Sequence, residues 1–309
     1  MLCAADAVAN AYAIERDANA PSHDAGASDD DAMAYVVKEN CWRKETKHGD
    51  YFLKYYDRLD VAKKVRLIHK RFTDSQFPHH IPLEKNIEEQ TILQRWVSGR
   101  SANYNVLEDR IKTVDCLQNL HMTNNYIQWR TEPLPTQNLK DKWRRRYERF
   151  CEQQQLRSIL GDSYERILQI AKAALEKIEQ VPSSPEPLTI LHGDVVHHNV
   201  LITEGETYLI DFDLAMFGEA SDEIILWLQR ALPNVDYELN QLLSEHPYLE
   251  IAKQKLDYLR FPNEVMREAL YMLQLDGAKR AYFEVFLHGF IQDYLLYYNR
   301  LLAHIESQK

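Results

Sequence analysis

Leu191-His192-Gly193-Asp194-Val195-Val196-His197-His198-Asn199-Val200-Leu201-Ile202, followed by Tyr208-Leu209-Ile210-Asp211-Phe212-Asp213, is the stretch that decides how this 309-residue chain is read. Val200 to Ile202 and Thr207 to Ile210 are short β-branched and aliphatic runs, separated by Glu204-Gly205-Glu206, a glycine-centred loop of the length that closes a hairpin. Pairing the runs sets Asn199 opposite Asp211 at the open end, and Asp194, five residues before Asn199, leads into that same end. Three oxygen-bearing side chains thus converge through local structure alone. An Asp and an Asn are hard oxygen donors of the kind Mg²⁺ takes when phosphate oxygens complete its shell. A further carboxylate, left off the metal, can orient a hydroxyl and accept its proton.

Composition bounds the rest. A chain of this length suits about two domains or one two-lobed domain, and 45% hydrophobic content is ordinary for a globular core. No apolar run approaches the roughly 18 residues a membrane span needs, and the alanine-rich start, lacking basic residues and interrupted by Asp6, reads poorly as a signal peptide. Cys3, Cys41, Cys116 and Cys151 show no CxxC spacing, which argues against a disulfide framework or a zinc site and for a reducing cytoplasm. The net charge of -10 is concentrated: residues 181–240 hold eleven carboxylates and one cation, Arg230. Such a field repels nucleic acid and attracts a metal ion or a cationic substrate, although most of these carboxylates read as a solvated acidic face.

Taken in order, residues 1–33 read as a flexible or irregular N-terminal segment, since 15–33 is rich in Ala, Asp and Ser and nearly free of large apolar side chains. Residues 34–38, 41–46 and 50–56 read as strands, with a turn at Lys47-His48-Gly49-Asp50, and alternation puts Phe52, Lys54 and Tyr56 on one face. Asp60 to Phe72 has helical spacing with Asp60 as its N-cap, and Thr91 to Arg100 reads as a strand ending at a glycine. From Glu108 onward the pattern is helical: His121 sits on the apolar face of one helix, Ser163 to Gln180 form another, and the proline-rich 182–187 stretch precedes a strand at 188–191. Lys140 to Arg149 is the sole basic cluster, best read as a solvated helix face, with a docking face for an acidic partner as the alternative. Ser221 is placed to cap a helix whose first turn holds Asp222 and Glu223, and Phe283 to Ile305 form an amphipathic closing helix.

His192-Gly193-Asp194 with Asn199 five residues after the aspartate, then Ile210-Asp211 after a hairpin, resembles the phosphotransfer signature of the aminoglycoside phosphotransferase and choline kinase family. The wording around His197-His198-Asn199 and Leu209 to Asp213 is most similar to the bacterial spore-coat CotS-like branch. The resemblance spans roughly residues 34–309 and implies an α+β, two-lobed, protein-kinase-like fold: an N-terminal nucleotide-binding lobe at 34–97 and a catalytic and substrate lobe at 98–309. It implies ATP and Mg²⁺ as cofactors, Asp194 as the catalytic carboxylate with His192 buttressing its loop, and Asn199 and Asp211 as metal ligands. Lys54 would contact the nucleotide phosphates, and the backbone around Gln94, Trp96 and Val97 would form the hinge that meets adenine. In the family an aspartate at the place of Asp222 bonds back to the catalytic loop. Two departures stand out. No GxGxxG loop precedes Lys54, leaving 22–33 or the turn at Asn40 as the phosphate cover, and helix 60–72 holds no glutamate for Lys54, with Asp60, Glu84, Glu88 and Glu89 as open candidates. Asp213 either reaches a second metal or caps the next segment.

Three functions follow. The first is an ATP- and Mg²⁺-dependent phosphotransferase acting on the hydroxyl of a small molecule, cationic ones included. The second is a weak or inactive kinase-fold protein of the spore coat, favoured by the missing glycine loop and opposed by the Asp194, Asn199, Asp211 set. The third is a metal oxygenase, because His192-x-Asp194 also begins a two-histidine, one-carboxylate iron site, but that chemistry needs a jelly roll and the chain after residue 100 is helical.

Overall fold

The computed structural model describes residues 33–85, 88–129, 132–182 and 186–308. The stretch before Met33, expected to be irregular, and Cys3 within it lie outside these residues. Strands β1 (Met33–Lys38), β2 (Cys41–Thr46), β3 (Gly49–Tyr55) and β4 (Thr91–Arg95) form an antiparallel sheet in that order. Helix α1 (Leu59–Asp74) crosses one face. The side chains of Phe52, Tyr56 and Ile92 meet Ala62 and Val65 there, so the alternation of β3 and the helical spacing of α1 bury one small core. Arg58, without a side-chain cap bond, occupies the N-cap of α1; Asp60 lies in the first turn and pairs with Arg58 on the surface. Asp60 therefore neither caps the helix nor approaches Lys54.

The expected strand 91–100 is two. β4 stops at Arg95, and β5 (Arg100–Ser101) belongs to a second sheet, pairing with β7 (Val200–Ile202), which pairs in turn with β8 (Thr207–Leu209). The chain changes sheets between these strands, which carries it out of the small lobe. Helices α2 (Leu107–Met122), α3 (Leu139–Glu152), α4 (Gln154–Leu160) and α5 (Asp162–Gln180) follow, and then β6 (Leu188–Leu191), which pairs with β9 (Met216–Glu219). After β9 come α6 (Ala220–Ala231), α7 (Leu239–Glu245), a run of 3-10 turns at Pro247–Arg260, α8 (Asn263–Met272) and α9 (Gly277–Ser307).

The large core fills this second part, where Trp129, Trp143 and Trp227 are fully buried. Helix α6 is buried on nearly every side, as a continuous apolar run such as Ile224-Ile225-Leu226-Trp227-Leu228 requires. Only one face of α9 is covered, through Phe283, Leu287, Ile291, Tyr294 and Ile305, in keeping with the expected amphipathic pattern. Ser221 is not the cap of α6, since Glu219 holds that position and the Ser221 hydroxyl donates to Glu186 at 2.6 Å. A small β-rich lobe joined to a larger helical one makes the chain α+β, and the jelly roll needed by an oxygenase is absent from the described residues.

Candidate active site

The β7–β8 hairpin forms in the expected register: Val200 faces Leu209, and the Ile210 amide donates to the Asn199 carbonyl at 3.0 Å. Asn199 is buried, and its side-chain N–H donates to the Asp194 carbonyl at 3.0 Å. That bond ties the loop to the hairpin and leaves the Asn199 amide oxygen as its free donor atom. Asp211 has a left-handed backbone (φ 65°, ψ 64°), a conformation that the short Asp side chain tolerates better than most.

Lys54, buried in the middle of the small sheet, donates to Asp211 at 2.9 Å and to Asp213 at 2.6 Å. Lys38, at the end of β1 where the turn at Asn40 begins, reaches the other Asp211 oxygen at 3.0 Å. Burial pushes the Asp211 carboxyl up, but Lys38 and Lys54 outweigh it and hold it far below the usual carboxylate range. For Lys54 the desolvation that would lower its pKa is overcome by Asp211 and Asp213, so it remains firmly charged.

The question of a helix glutamate is thereby answered geometrically. Helix α1 presents Lys64, whose ammonium donates to the carbonyls of Asp213 (2.5 Å) and Ala215 (3.2 Å). The second carboxylate on Lys54 is Asp213, itself held by the Tyr56 hydroxyl at 2.8 Å. Neither Asp213 reading from the sequence, a second metal or a cap, foresaw this pairing; the alternation that put Lys54 and Tyr56 on one face was the available signal.

His192 is fully buried. One ring nitrogen lies 2.8 Å from the Ile210 carbonyl, and the ring packs on Phe212 with centroids 4.7 Å apart. Its side chain joins the loop to the hairpin. The loop itself hangs on a residue the sequence reading passed over: Glu223, buried in α6, accepts from the His192 and Gly193 amides at 3.1 and 2.7 Å, and His121 lies 2.8 Å from it. The bond back to the loop, assigned by resemblance to Asp222, thus comes from its neighbour. Asp222 instead pairs with Lys255 at 2.5 Å. Gly193 has φ 81°, and a Cβ there would sit 2.2 Å from the Leu214 carbonyl oxygen, so only glycine fits.

Asp194 accepts from Arg230 at 2.7 Å. Burial raises its pKa, and Arg230 and Arg267 more than reverse that, leaving it ionised. Arg230, the one cation in the acidic segment, was visible in the sequence but not its direction. The residues expected at the hinge are arranged differently from one another. The Gln94 amide turns inward to the Ile81 carbonyl (2.5 Å), the Trp96 amide donates to the Asp50 carbonyl (2.8 Å) beneath a stacked Arg43, and Val97 is half-buried just past β4.

A small antiparallel lobe against a helical lobe, with a carboxylate-bearing hairpin in the latter, is the protein-kinase-like architecture. Residues 38–231 match the phosphotransferase enzyme family, and the chain belongs to that family. No curated protein matches it in sequence. Solved structures similar to it include an aminoglycoside phosphotransferase from Alicyclobacillus acidocaldarius (TM-score 0.58, 16% identity, covering 89% of this chain and 91% of that one). Another is the choline kinase LicA from Streptococcus pneumoniae (0.52, 13%, 83% and 89%). A third is the spectinomycin phosphotransferase APH(9)-Ia in complex with ADP and spectinomycin (0.54, 16%, 87% and 92%). At these identities the likeness is one of fold.

Proposed function

We propose that the protein transfers the γ-phosphoryl group of ATP to the hydroxyl of a small molecule, with Asp194 as the catalytic carboxylate. The observation that carries this reading is the convergence of Asp194, Asn199, Asp211 and Lys54 at the open end of one hairpin. Asn199 and Asp211 offer the oxygen donors that Mg²⁺ prefers, so the donor set fits the ion; bound with the nucleotide, Mg²⁺ would neutralise charge on the phosphates. Lys38 and Lys54, which face Asp211 in the structure, are placed to balance that charge as well. The turn at Asn40, contributing Lys38, takes the part of the absent glycine loop.

Asp194 orients the acceptor hydroxyl. As the acceptor oxygen bonds to the γ-phosphorus, the bond to the β,γ-bridging oxygen breaks, its electron pair leaves with ADP, and the hydroxyl proton passes to Asp194. Because the transition state is loose, the proton moves late and a weakly basic carboxylate held ionised by Arg230 suffices. His192 keeps the loop against the hairpin, and Glu223 anchors it. The backbone near Gln94, Trp96 and Val97 is proposed to meet adenine.

The inactive reading drew on the missing glycine loop and on the undetermined acidic partner of Lys54; Asp213, bonded to Lys54 at 2.6 Å, weakens the second ground. Placement in the spore-coat CotS-like branch, with coat association alongside a cytoplasmic home, is proposed on the wording of residues 197–199 and 209–213 alone. The test is transfer of label from γ-labelled ATP to a pool of small alcohols. Product that disappears in Asp194→Asn supports the proposal; no product from the native protein with any acceptor, with intact ATP, opposes it.

A further inference from the structure

Resting on the phosphotransferase reading, a question remains about what sits beside Asp194. The acidic segment suggested a cationic acceptor, yet the immediate surroundings of this carboxylate are basic. Lys142 and Arg146 lie four residues apart on α3, hence on one face of that helix. Both are half-buried while Arg144, Arg145 and Arg149 are exposed, so the basic cluster read as a solvated face is divided: two of its members turn inward. There Arg230 from α6, Arg267 from α8 and the carboxylates of Asp194 and Glu264 lie within electrostatic reach of one or both.

The pairing of these groups is uneven. Arg267 bonds Glu264 (2.9 Å) and Glu268 (2.5 Å), and Arg230 bonds Asp194, with its Nε 3.5 Å from Glu264. Among the described residues no carboxylate lies within salt-bridge distance of Lys142 or Arg146. Lys142 finds only the Gln137 amide oxygen at 3.2 Å, and Arg146 only the amide oxygen of Asn263. Gln137 is 9% exposed and its amide nitrogen, another donor, has no hydrogen-bond partner, while the Arg230 Nε has only the 3.5 Å ion pair with Glu264. Burial, with Arg146 and Arg230 beside it, pushes the Lys142 ammonium down to about 8, and burial, reinforced by Arg267 and Arg230, takes Arg146 down to about 10. Two half-buried cations without a carboxylate partner, and the unmatched Gln137 amide beside them, make an arrangement that an entering anion would stabilise.

We infer that the acceptor is an anionic hydroxylated molecule, whose carboxylate, sulfate or phosphate group is held by Lys142 and Arg146 while its hydroxyl faces Asp194. Charge-assisted bonds from an ammonium and a planar guanidinium give such a group both affinity and orientation. A quaternary ammonium or an aminated sugar would instead place a like charge against Lys142 and Arg146, the two cations without a carboxylate partner.

The test uses one three-carbon scaffold in four charge states: D-glycerate, sn-glycerol 3-phosphate, glycerol and 3-amino-1,2-propanediol. Calorimetric binding is measured on the full chain, on Lys142→Met, on Arg146→Met, on Arg146→Lys and on Arg145→Gln as an exposed control, each checked for folding by its melting curve. Expected is binding of at least one anionic member, weakened tenfold or more in Lys142→Met and Arg146→Met, partly restored in Arg146→Lys and unchanged in Arg145→Gln, with glycerol and the amine weaker. Tighter binding of the amine, equal binding of the anions by the Met variants (an adventitious ion only), or no anion binding by the native protein would overturn it. ATP binding, followed in parallel, separates the two proposals: its loss speaks against the kinase reading, whereas anion indifference with ATP binding intact speaks against this one.

Discussion

Single residues here carry charges that their neighbours, rather than their types, define. Asp194 is the clearest case: burial alone would raise its pKa, and Arg230 with Arg267 sets it below the usual carboxylate range. On the proposed role its ionised form is the competent one, so activity should stay flat through neutral pH and fall only below the usual carboxylate range. Removing the guanidinium in Arg230→Gln should let burial prevail and move the acid limb of the kcat profile upward in pH; an unmoved limb would show that Arg230 does not tune Asp194. Asp194→Asn should reduce kcat by roughly 10²- to 10⁴-fold, the range of a positioned general base. The face that Lys54 shares with Tyr56 was legible from strand alternation and its proposed role from the family resemblance, but its partner was not, because Asp213 lies far along the sequence and no local pattern joins it to β3. Asp213→Asn should leave Lys54 tied to Asp211 alone and lower kcat more than it raises the KM for ATP. Asp213→Glu should recover part of the loss, a rescue that a purely structural role would not require.

Elements were legible to the extent that their patterns are local. The β7–β8 hairpin, the three N-terminal strands and α1 follow from alternation, turn glycines and helical spacing, and each forms within a residue or two of its expected bounds. The strand expected at 91–100 failed because pairing partners, invisible in one segment, divide it between two sheets. The basic cluster on α3 failed in part for a related reason: its charges suggested water, and the i, i+4 relation of Lys142 and Arg146, beside the buried Trp143 and Phe150, was the missed sign that one basic stripe borders the core. Helix α6 holds the His192-Gly193 loop through Glu223, whose two amide bonds and His121 contact are buried. Glu223→Ala strands those donors and should destabilise the protein by about 3 kcal/mol, read as a lower urea midpoint at unchanged slope. A change under about 0.5 kcal/mol would mean the loop is held by other contacts.

At the scale of the whole molecule, acidity and local charge diverge. The net charge of -10 kept nucleic acid out of consideration and suggested a cationic acceptor, but a sum over the chain does not report the field at one carboxylate. Around Asp194, helices α3, α6 and α8 bring cations from three separate segments, a convergence that only the fold reveals. Lys142, depressed to about 8, faces Arg146 on its own helix, Arg230 on α6, Glu264 on α8, and Asp194. An entering anion should raise its pKa, so binding above pH 8 should take up a proton and weaken as pH climbs, measurable as a buffer-dependent heat; uptake absent in that range would place the anion away from Lys142. Among the described residues, no helix is long and apolar enough to cross a membrane.

The central claim is a nucleotide site at the open end of the hairpin, and the most direct measurement is calorimetric binding of ATP, with Mg²⁺ and with the metal chelated, to the native protein and to Asp211→Ala. The account predicts binding to the native chain that needs Mg²⁺, and loss of that dependence when Asp211 is removed. Equal binding by both proteins with or without the metal, or no binding by the native chain at millimolar ATP, would contradict it.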